Sequence, residues 1–131
     1  MTESGIMGNA KITASILEEL KSRKIYLSID DFGTGYSSLS YLHLLPVNTL
    51  KIDRSFVSHI QNDGQNTEII RVIIALLDSL EIQAIAEGIE TSSQLQYLKT
   101  LGCEFGQGYF FSPPLDAEFA RRLLQAPPNW L

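Results

Sequence analysis

Four short apolar runs alternate with helix-forming segments, and this alternation constrains the fold more than any other feature of the chain. The runs lie at Ile25–Asp30, Asn48–Ile52, Ile82–Glu87 and about Cys103–Gln107. Regular alternation of helix and strand is typical of parallel strands joined by helical crossovers. We therefore predict one α/β unit of four βα repeats. The pattern fits a small open sheet or half of an eight-stranded barrel, and by itself it does not choose between them.

Four segments carry apolar residues at the spacing of three and four that is typical of one helix face. Their apolar positions are Ile12, Ile16, Leu17 and Leu20, then Ile69, Ile70, Ile73, Leu77 and Leu80, then Leu95, Leu98 and Leu101, and finally Phe119, Ala120, Leu123 and Leu124. A further short helix is predicted to begin near Ser37 and to end at Pro46. No linker or low-complexity segment divides the chain.

Helix boundaries are marked by capping residues. Thr91 followed by Gln94 forms the sequence of a capping box. Gly102 stands where a helix commonly ends on a glycine, and Asp116 can cap the last helix. The pair Pro127-Pro128 stops that helix. We expect a single domain over residues 1–131, with a core at 3–125 and a tail at 126–131.

Composition limits the partners and the compartment. A formal charge of -5 over 131 residues argues against a DNA or RNA polymer, whose binders usually show a basic face. The one cysteine, Cys103, excludes an internal disulfide, fits a reducing compartment and is expected to be a small core residue. The start of the chain lacks a signal peptide pattern, and the most apolar stretch, Ile69 to Leu77, is far shorter than the roughly 20 residues of a membrane span. We expect a cytoplasmic protein with no membrane segment.

Polar residues stand at the ends of the predicted strands. Asp30 and Asp31 end the first, Lys51 lies near the end of the second, Glu87 ends the third and Gln107 ends the fourth. In a barrel the carboxyl ends of the strands meet at one mouth, where catalysis takes place. Strand alternation places Asp30 and Lys51 on the face opposite the apolar residues.

Adjacent carboxylates suit Mg²⁺ or Mn²⁺, which prefer oxygen ligands. Each position also has a structural interpretation: Asp30-Asp31 could begin a turn, Lys51 could be a partly exposed strand lysine, Glu87 a solvated strand end, and Gln107 is uninformative. All of them at successive strand ends favour a site. His43 and His59 lack ligand spacing, and we interpret them as structural or exposed; Trp130 is expected to pack the terminus.

Four segments resemble the motifs of the EAL-domain cyclic di-GMP phosphodiesterases. The first is the loop Asp30-Asp31-Phe32-Gly33-Thr34-Gly35-Tyr36-Ser37-Ser38-Leu39. The others are Leu50-Lys51-Ile52-Asp53-Arg54-Ser55-Phe56, Ala86-Glu87-Gly88-Ile89-Glu90-Thr91 and Gly106-Gln107-Gly108-Tyr109-Phe110-Phe111-Ser112-Pro113-Pro114-Leu115. Their order and spacing are similar to the family's, and the likeness runs from Met1 to about Leu124.

The resemblance implies a (β/α)₈ barrel with two divalent metals that hydrolyses cyclic di-GMP to pGpG. By the same resemblance, Asp30, Asp31 and Glu87 would be metal ligands, and Lys51 would orient or help activate the attacking water. Gln107 would contact the water or the substrate, and Pro113 would lie beside a guanine. Three further residues would stabilise the first loop: Glu3, Thr34 and Glu90.

The chain departs from the family in length, since complete barrels of this kind need roughly 250 residues. The Glu-Ala-Leu segment that names the family and the strand with an asparagine ligand are absent. Met1-Thr2-Glu3-Ser4 resembles the end of a motif whose metal-binding glutamate would precede Met1. We expect at most one, weakly held metal and no activity of this chain alone. The alternatives are a cyclic di-GMP sensor or scaffold without catalysis, and a generic phosphate-binding half barrel.

Unpaired strand edges predict association. The first strand carries neither charge nor proline before Asp30, and such edges are templates for pairing. Two copies could close into one eight-stranded barrel, or an N-terminal half from elsewhere could do so. A gene fragment and a purpose-built half domain both remain possible origins of the short chain.

Overall fold

The computed structural model describes residues 10–32, 42–43, 45–60 and 67–130, with the side chains of 10–13 and 31 excepted. In chain order the elements are α1 (Ala10–Ser22), β1 (Ser28–Phe32), β2 (Thr49–Ile52), α2 (Arg54–Ser58), α3 (Thr67–Ser79), β3 (Gln83–Glu87), α4 (Ser92–Thr100), β4 (Phe105–Gln107) and α5 (Ala117–Gln125). The expectations for Glu3, Thr34, the glycine loop and the helix near Ser37 lie outside the described residues.

The four strands form one parallel sheet in the order β1-β2-β3-β4. Each strand pairs with the next one in the chain, as half of a βα barrel requires. The prediction of a parallel α/β unit is confirmed.

The two faces of the sheet differ in burial. Ile29, Leu50, Ile52 and Ala86 point to one face and are buried, the last three completely. Residues that alternate with them, among them Lys51, are only partly buried. The register pairs Lys51 with Ile85, and it pairs Ile52 with Ala86, so alternation carries across the strands. The apolar face therefore packs under the helices, while the other face remains accessible.

Strand β1 contains an irregularity at the paired acids. Its partner register runs from Ile29 opposite Leu50 to Phe32 opposite Ile52, so two residues of β1 stand across from Lys51 alone. An extra residue of this kind is a β-bulge, which re-aims side chains. Because of the bulge, Phe32 lies on the buried face, and both Asp30 and Asp31 stand opposite Lys51 in the register.

The predicted bounds of β1 were wrong at both ends. The segment Ile25–Leu27 lies before the strand. Because β2 begins at Thr49, which pairs with Ser28, no residue of β2 is available to pair with Ile25–Leu27. Instead Asn48 closes the start: its side-chain Oδ1 accepts the N–H of Leu27 at 3.0 Å. At the other end the strand continues past Asp30 to Phe32. The starts of β3 and β4 also lie later than predicted, at Gln83 and Phe105.

Two predicted helix faces need correction. In α3 the buried positions are Ile70, Ile73, Ile74 and Leu77, whereas Ile69 is 52% exposed. The buried set follows i, i+3, i+4, i+7 without Ile69, which lies at the edge of this face, one turn before Ile73. In α1 Ile16 is likewise exposed, while Leu17 is buried.

Helix α5 differs from its prediction more strongly. Its apolar residues follow a helical pattern, but none of them is buried; Phe119 is 56% and Leu124 82% exposed. The sequence indicates the helix and its apolar face correctly, but the described structure covers this face only in part, at Ala120 and Leu123.

The predicted caps are confirmed. Thr91 and Gln94 form a capping box on α4, and the left-handed residue after that helix is Gly102, at φ +80. Asp116 accepts the backbone N–H of Phe119 at 2.9 Å and so caps α5. Cys103 is buried, as expected of a core residue.

The end of the described chain packs through aromatic rings. Trp130 lies edge-on to Phe111, with ring centroids 5.6 Å apart, as expected for a residue that packs the terminus. Within the described part of the chain, no helix is long and apolar enough to span a bilayer.

Candidate active site

One side chain from each strand meets at the carboxyl end of the sheet. The ammonium of Lys51 lies 3.0 Å from Oδ1 of Asp30 and forms a second ion pair with Oε1 of Glu87. The side-chain amide of Gln107 donates to the same Glu87 oxygen at 2.5 Å. The four residues thus form one continuous polar cluster across β1, β2, β3 and β4.

Register explains why these residues meet. The cross-strand neighbour of Glu87 is Gln107, and Lys51 stands opposite the β1 bulge that carries Asp30. All four side chains share the accessible face of the sheet. Sequence alternation predicted this convergence for Asp30 and Lys51.

The cluster keeps Lys51 charged. Its hydrogen bond to Glu87 raises the pKa of the Lys51 ammonium; partial burial opposes this, and the contact with Asp30 reinforces it. The amine therefore stays protonated well beyond neutral pH. At this site it acts as a cation and as a hydrogen-bond donor.

The loops that follow β3 and β4 are bonded to each other beside the cluster. The backbone N–H of Ile89 donates to the carbonyl of Gln107 at 3.1 Å, and the N–H of Phe110 donates to the carbonyl of Ile89 at 2.9 Å. Gly108 allows this approach, because a Cβ on it would stand 2.1 Å from the Ile89 carbonyl oxygen. The backbone that carries Glu87 and Gln107 is therefore held on both strands.

The other expected site residues lie apart from this cluster or are described only in part. Pro113 is exposed in the turn after β4, where the hydroxyl of Ser112 donates to its carbonyl at 2.8 Å. Glu90 is exposed on the loop after β3. Asp31 has its backbone in the bulge, and its side chain is outside the described set.

Three residues near the mouth escaped the sequence prediction. Asp53 caps α2 by accepting the N–H of Ser55 at 2.9 Å. Burial would raise the pKa of Asp53, but the hydrogen bonds from Ser55 outweigh it and leave this pKa lowered. Arg54 lies against Gly88, where an added Cβ would meet its side chain at 2.5 Å. Gln94 is 2% exposed. The sequence indicated its place in the capping box but did not indicate its burial.

Oxygen donors dominate the cluster and suit a hard divalent cation. Asp30 and Glu87 contact the same ammonium, so both carboxylates already face one cation position. Within the described ranges no three acidic, histidine or cysteine side chains cluster as metal ligands. The described carboxylates of the cluster, Asp30 and Glu87, are therefore the kind of ligand that a divalent cation prefers.

A parallel βα sheet with an acid–lysine–acid–amide cluster at its carboxyl end defines a candidate barrel active site. The family model of the EAL domain matches residues 1–114. The chain belongs to the EAL domain family, and its fold is part of the family's barrel.

Named relatives include cyclic di-GMP phosphodiesterases. The Pseudomonas aeruginosa cyclic di-GMP phosphodiesterase NbdA is 45% identical over 96% of this chain. Among solved structures, the Pseudomonas aeruginosa MucR phosphodiesterase in complex with cyclic di-GMP is 43% identical over 92% of the chain, with a TM-score of 0.84. A Klebsiella pneumoniae BlrP1 complex with manganese and cyclic di-GMP is 32% identical over 86% of the chain, with a TM-score of 0.78.

The chain spans only part of these proteins. It covers 16% of NbdA, 49% of the solved MucR chain and 29% of the solved BlrP1 chain.

Proposed function

We propose that this chain forms the C-terminal half of a metal-dependent phosphodiesterase domain that hydrolyses cyclic di-GMP to pGpG in bacterial signalling. The observation that carries the proposal is the cluster of Asp30, Lys51, Glu87 and Gln107 at the carboxyl end of four parallel strands. The family membership and the ligands of the MucR and BlrP1 structures support the substrate class.

Asp30, Asp31 and Glu87 are proposed to hold Mg²⁺ or Mn²⁺. A divalent cation bound at this position supplies positive charge for the phosphate oxygens. A complete family site holds two ions, and the residues described here would hold one, weakly. We therefore expect little turnover by this chain alone.

Lys51 is proposed to orient or help activate the attacking water. Its ammonium, which contacts Asp30 and Glu87, can donate a hydrogen bond to the water. Gln107, held by its hydrogen bond to Glu87, can contact the water or the substrate.

The remaining roles lie farther from the cluster. Pro113 is proposed to line a guanine site, in keeping with its exposed turn after β4. The residues Glu3, Thr34 and Glu90 are proposed to stabilise the loop after β1.

The proposal is tested in a chimera whose barrel has the N-terminal half of the MucR domain and residues 1–131 of this chain. Asp30→Asn and Glu87→Gln should each lower the rate of pGpG formation by orders of magnitude, measured by chromatography with Mg²⁺ or Mn²⁺. Glu104→Gln is the matched control, because Glu104 is an exposed acid just before β4 and away from the cluster. Near-normal rates in both site variants would remove the assignment.

A binding module is the second candidate, because the chain covers 49% of the MucR chain solved with cyclic di-GMP and a partial barrel can keep ligand contacts while losing catalysis. The discriminating experiment uses the 131-residue chain with cyclic di-GMP and Mn²⁺, followed by calorimetry and product analysis. Binding without pGpG supports a sensor, whereas product formation contradicts the expected inactivity. Tighter binding of another nucleotide would favour a generic phosphate site.

The outer edges of β1 and β4 are proposed to associate, either with a second copy or with an N-terminal half barrel. Support comes from the sheet order, in which each of these strands has one neighbour in the described structure. Exposed apolar side chains flank both edges, with Tyr26 84% exposed near β1 and Phe105 45% exposed on β4.

A further inference from the structure

We propose that Gln94 is a positioning residue that fixes the loop after β3 and, through it, the carboxylate of Glu87. The inference deepens the proposed function, since it concerns the same cluster. It rests on a buried side chain that the proposed chemistry does not itself use.

Gln94 is 2% exposed and is a buried polar residue in a core that is otherwise apolar within the described ranges. Its Oε1 accepts two backbone N–H groups, from Glu90 at 2.8 Å and from Thr91 at 3.0 Å. Its own N–H donates to Oγ1 of Thr91 at 3.2 Å. One amide therefore holds two successive peptides at the start of α4.

The bond from the N–H of Thr91 belongs to the ordinary capping box. The bond from the N–H of Glu90 is additional and lies one residue closer to the site. Capping α4 requires only the contact with Thr91. The additional acceptor contact holds the peptide that directly follows Ile89, and Ile89 bridges the β4 loop by its N–H to Gln107 and its carbonyl to Phe110.

The path to the catalytic cluster is short. Glu87 is followed by Gly88 at φ +72, and then by Ile89 and the anchored Glu90. Gln94 thus secures one end of a four-residue segment, and the ladder between β3 and β4 secures the other, where Glu87 pairs with Gln107. A fixed backbone at both ends leaves Glu87 in place beside Lys51 and Gln107.

Loss of the Gln94 acceptor should release this segment. Buried N–H groups without acceptors are unfavourable, so the loop would move to find water. Gln94→Leu keeps approximate size and apolar packing but removes the acceptor. Gln94→Glu keeps a side-chain oxygen at the same position, and glutamate is the alternative residue of the capping box.

The test uses the 131-residue chain and reads the cluster directly by NMR. The readouts are hydrogen exchange of the Ile89 backbone amide and the chemical shift of the Gln107 side-chain amide. In Gln94→Leu the Ile89 amide should exchange about tenfold faster or more, because two N–H groups lose their acceptor, and the Gln107 amide resonance should shift. Gln94→Glu should restore slow exchange, and Gln96→Leu, an exposed glutamine on the same helix, should leave it unchanged.

A stability control separates positioning from general loosening. Leu77→Ala destabilises the core at α3 without touching the loop, so it should lower Tm and leave the Gln107 amide in its wild-type environment under native conditions. A change at Ile89 and Gln107 in Gln94→Leu that Leu77→Ala reproduces would overturn the inference. So would Gln94→Leu with an unaltered Gln107 amide.

Mn²⁺ titration adds the functional readout. If the wild-type chain binds Mn²⁺, Gln94→Leu should weaken it by about 10- to 100-fold, as is usual for residues that orient metal ligands; equal affinity would contradict a positioning role. If the wild-type chain binds no Mn²⁺, the proposed metal site fails. The Gln107 amide then decides the positioning role by itself.

Discussion

Helix α3 leads into a strand and α5 follows one, and both carry an apolar face, yet they differ in burial. Helix α3 buries four residues against the sheet, among them Ile70 and Leu77 at 0% exposure, whereas α5 buries none. The difference lies in their neighbours. Helix α3 connects β2 to β3 in the middle of the sheet, while α5 follows β4, which has one strand neighbour in the described structure.

The comparison shows that an amphipathic pattern predicts which face of a helix is apolar, but does not predict whether another element packs against that face. Most helical stability in proteins comes from packing of the apolar face. A nine-residue helix such as α5 gains little without it. Stability should therefore be concentrated around β2, β3 and α3, and it should fall toward α5.

The largest contrast is expected from matched leucines. Leu77→Ala in α3 removes a fully buried side chain and should lower the free energy of unfolding by about 2–5 kcal/mol. Leu124→Ala in α5, 82% exposed, should change it by no more than about 0.5 kcal/mol. Chemical denaturation of both variants measures the difference. Similar losses would mean that the α5 face is covered in solution.

A second contrast concerns two glycines on either side of β4. Gly108→Ala places a Cβ against the backbone of Ile89 and should destabilise the chain by about 1–3 kcal/mol or more. Gly102→Ala meets no atom within 4 Å, and only its left-handed backbone opposes the change, at about 1 kcal/mol. Thermal unfolding ranks the two. A milder effect at Gly108 would argue that the two loops are not in close contact.

Association of the isolated chain should depend on the apolar residues that flank the outer strand edges. Tyr26→Glu with Phe105→Glu should raise the dissociation constant about tenfold or more, a change of about 1.4 kcal/mol, because charge at the β1 and β4 edges opposes their pairing. The exposed pair Ile69→Glu and Val72→Glu on α3 is the control. Light scattering after gel filtration reads the mass, and a wild-type monomer of 14.6 kDa would contradict the proposed association.

The smallest contrast comes from the helix caps. Thr91→Ala removes the cap of α4, which packs on the core through Leu98, and should lower global stability by about 1 kcal/mol. Asp116→Ala removes the cap of α5 and should fray that helix alone. Circular dichroism would then show lost helix at an unchanged Tm. A lower Tm for Asp116→Ala would show that α5 is coupled to the core.

The sequence predicted the elements that depend on local chemistry. The capping box at Thr91, the glycine after α4 and the cap at Asp116 all follow from interactions within a few residues. Alternation also assigned the faces of β2, because a half-buried strand repeats every two residues.

Longer-range features were missed for identifiable reasons. The bounds of β1 depend on where β2 begins and on the bulge opposite Lys51, which alternation within one strand does not reveal. Burial of Gln94 depends on the path of the preceding loop, and glutamine is usually exposed. The sequence predicted that Glu87 and Gln107 lie close together, because each stands at the end of a strand. Their hydrogen bond could not be predicted, because it depends on the register between β3 and β4.

The single oxygen of Glu87 that accepts from both Lys51 and Gln107 makes these residues thermodynamically interdependent. Single substitutions of Lys51 and Gln107 would each redistribute the bonds of the other partner, so their effects on activity or stability would not sum. A double-mutant cycle should give an interaction free energy of about 0.5–3 kcal/mol, the range found for residues in one hydrogen-bonded network. In the chimeric barrel proposed above, the rate lost in any one variant should therefore measure the network as a whole and not the separate contribution of Lys51 or Gln107.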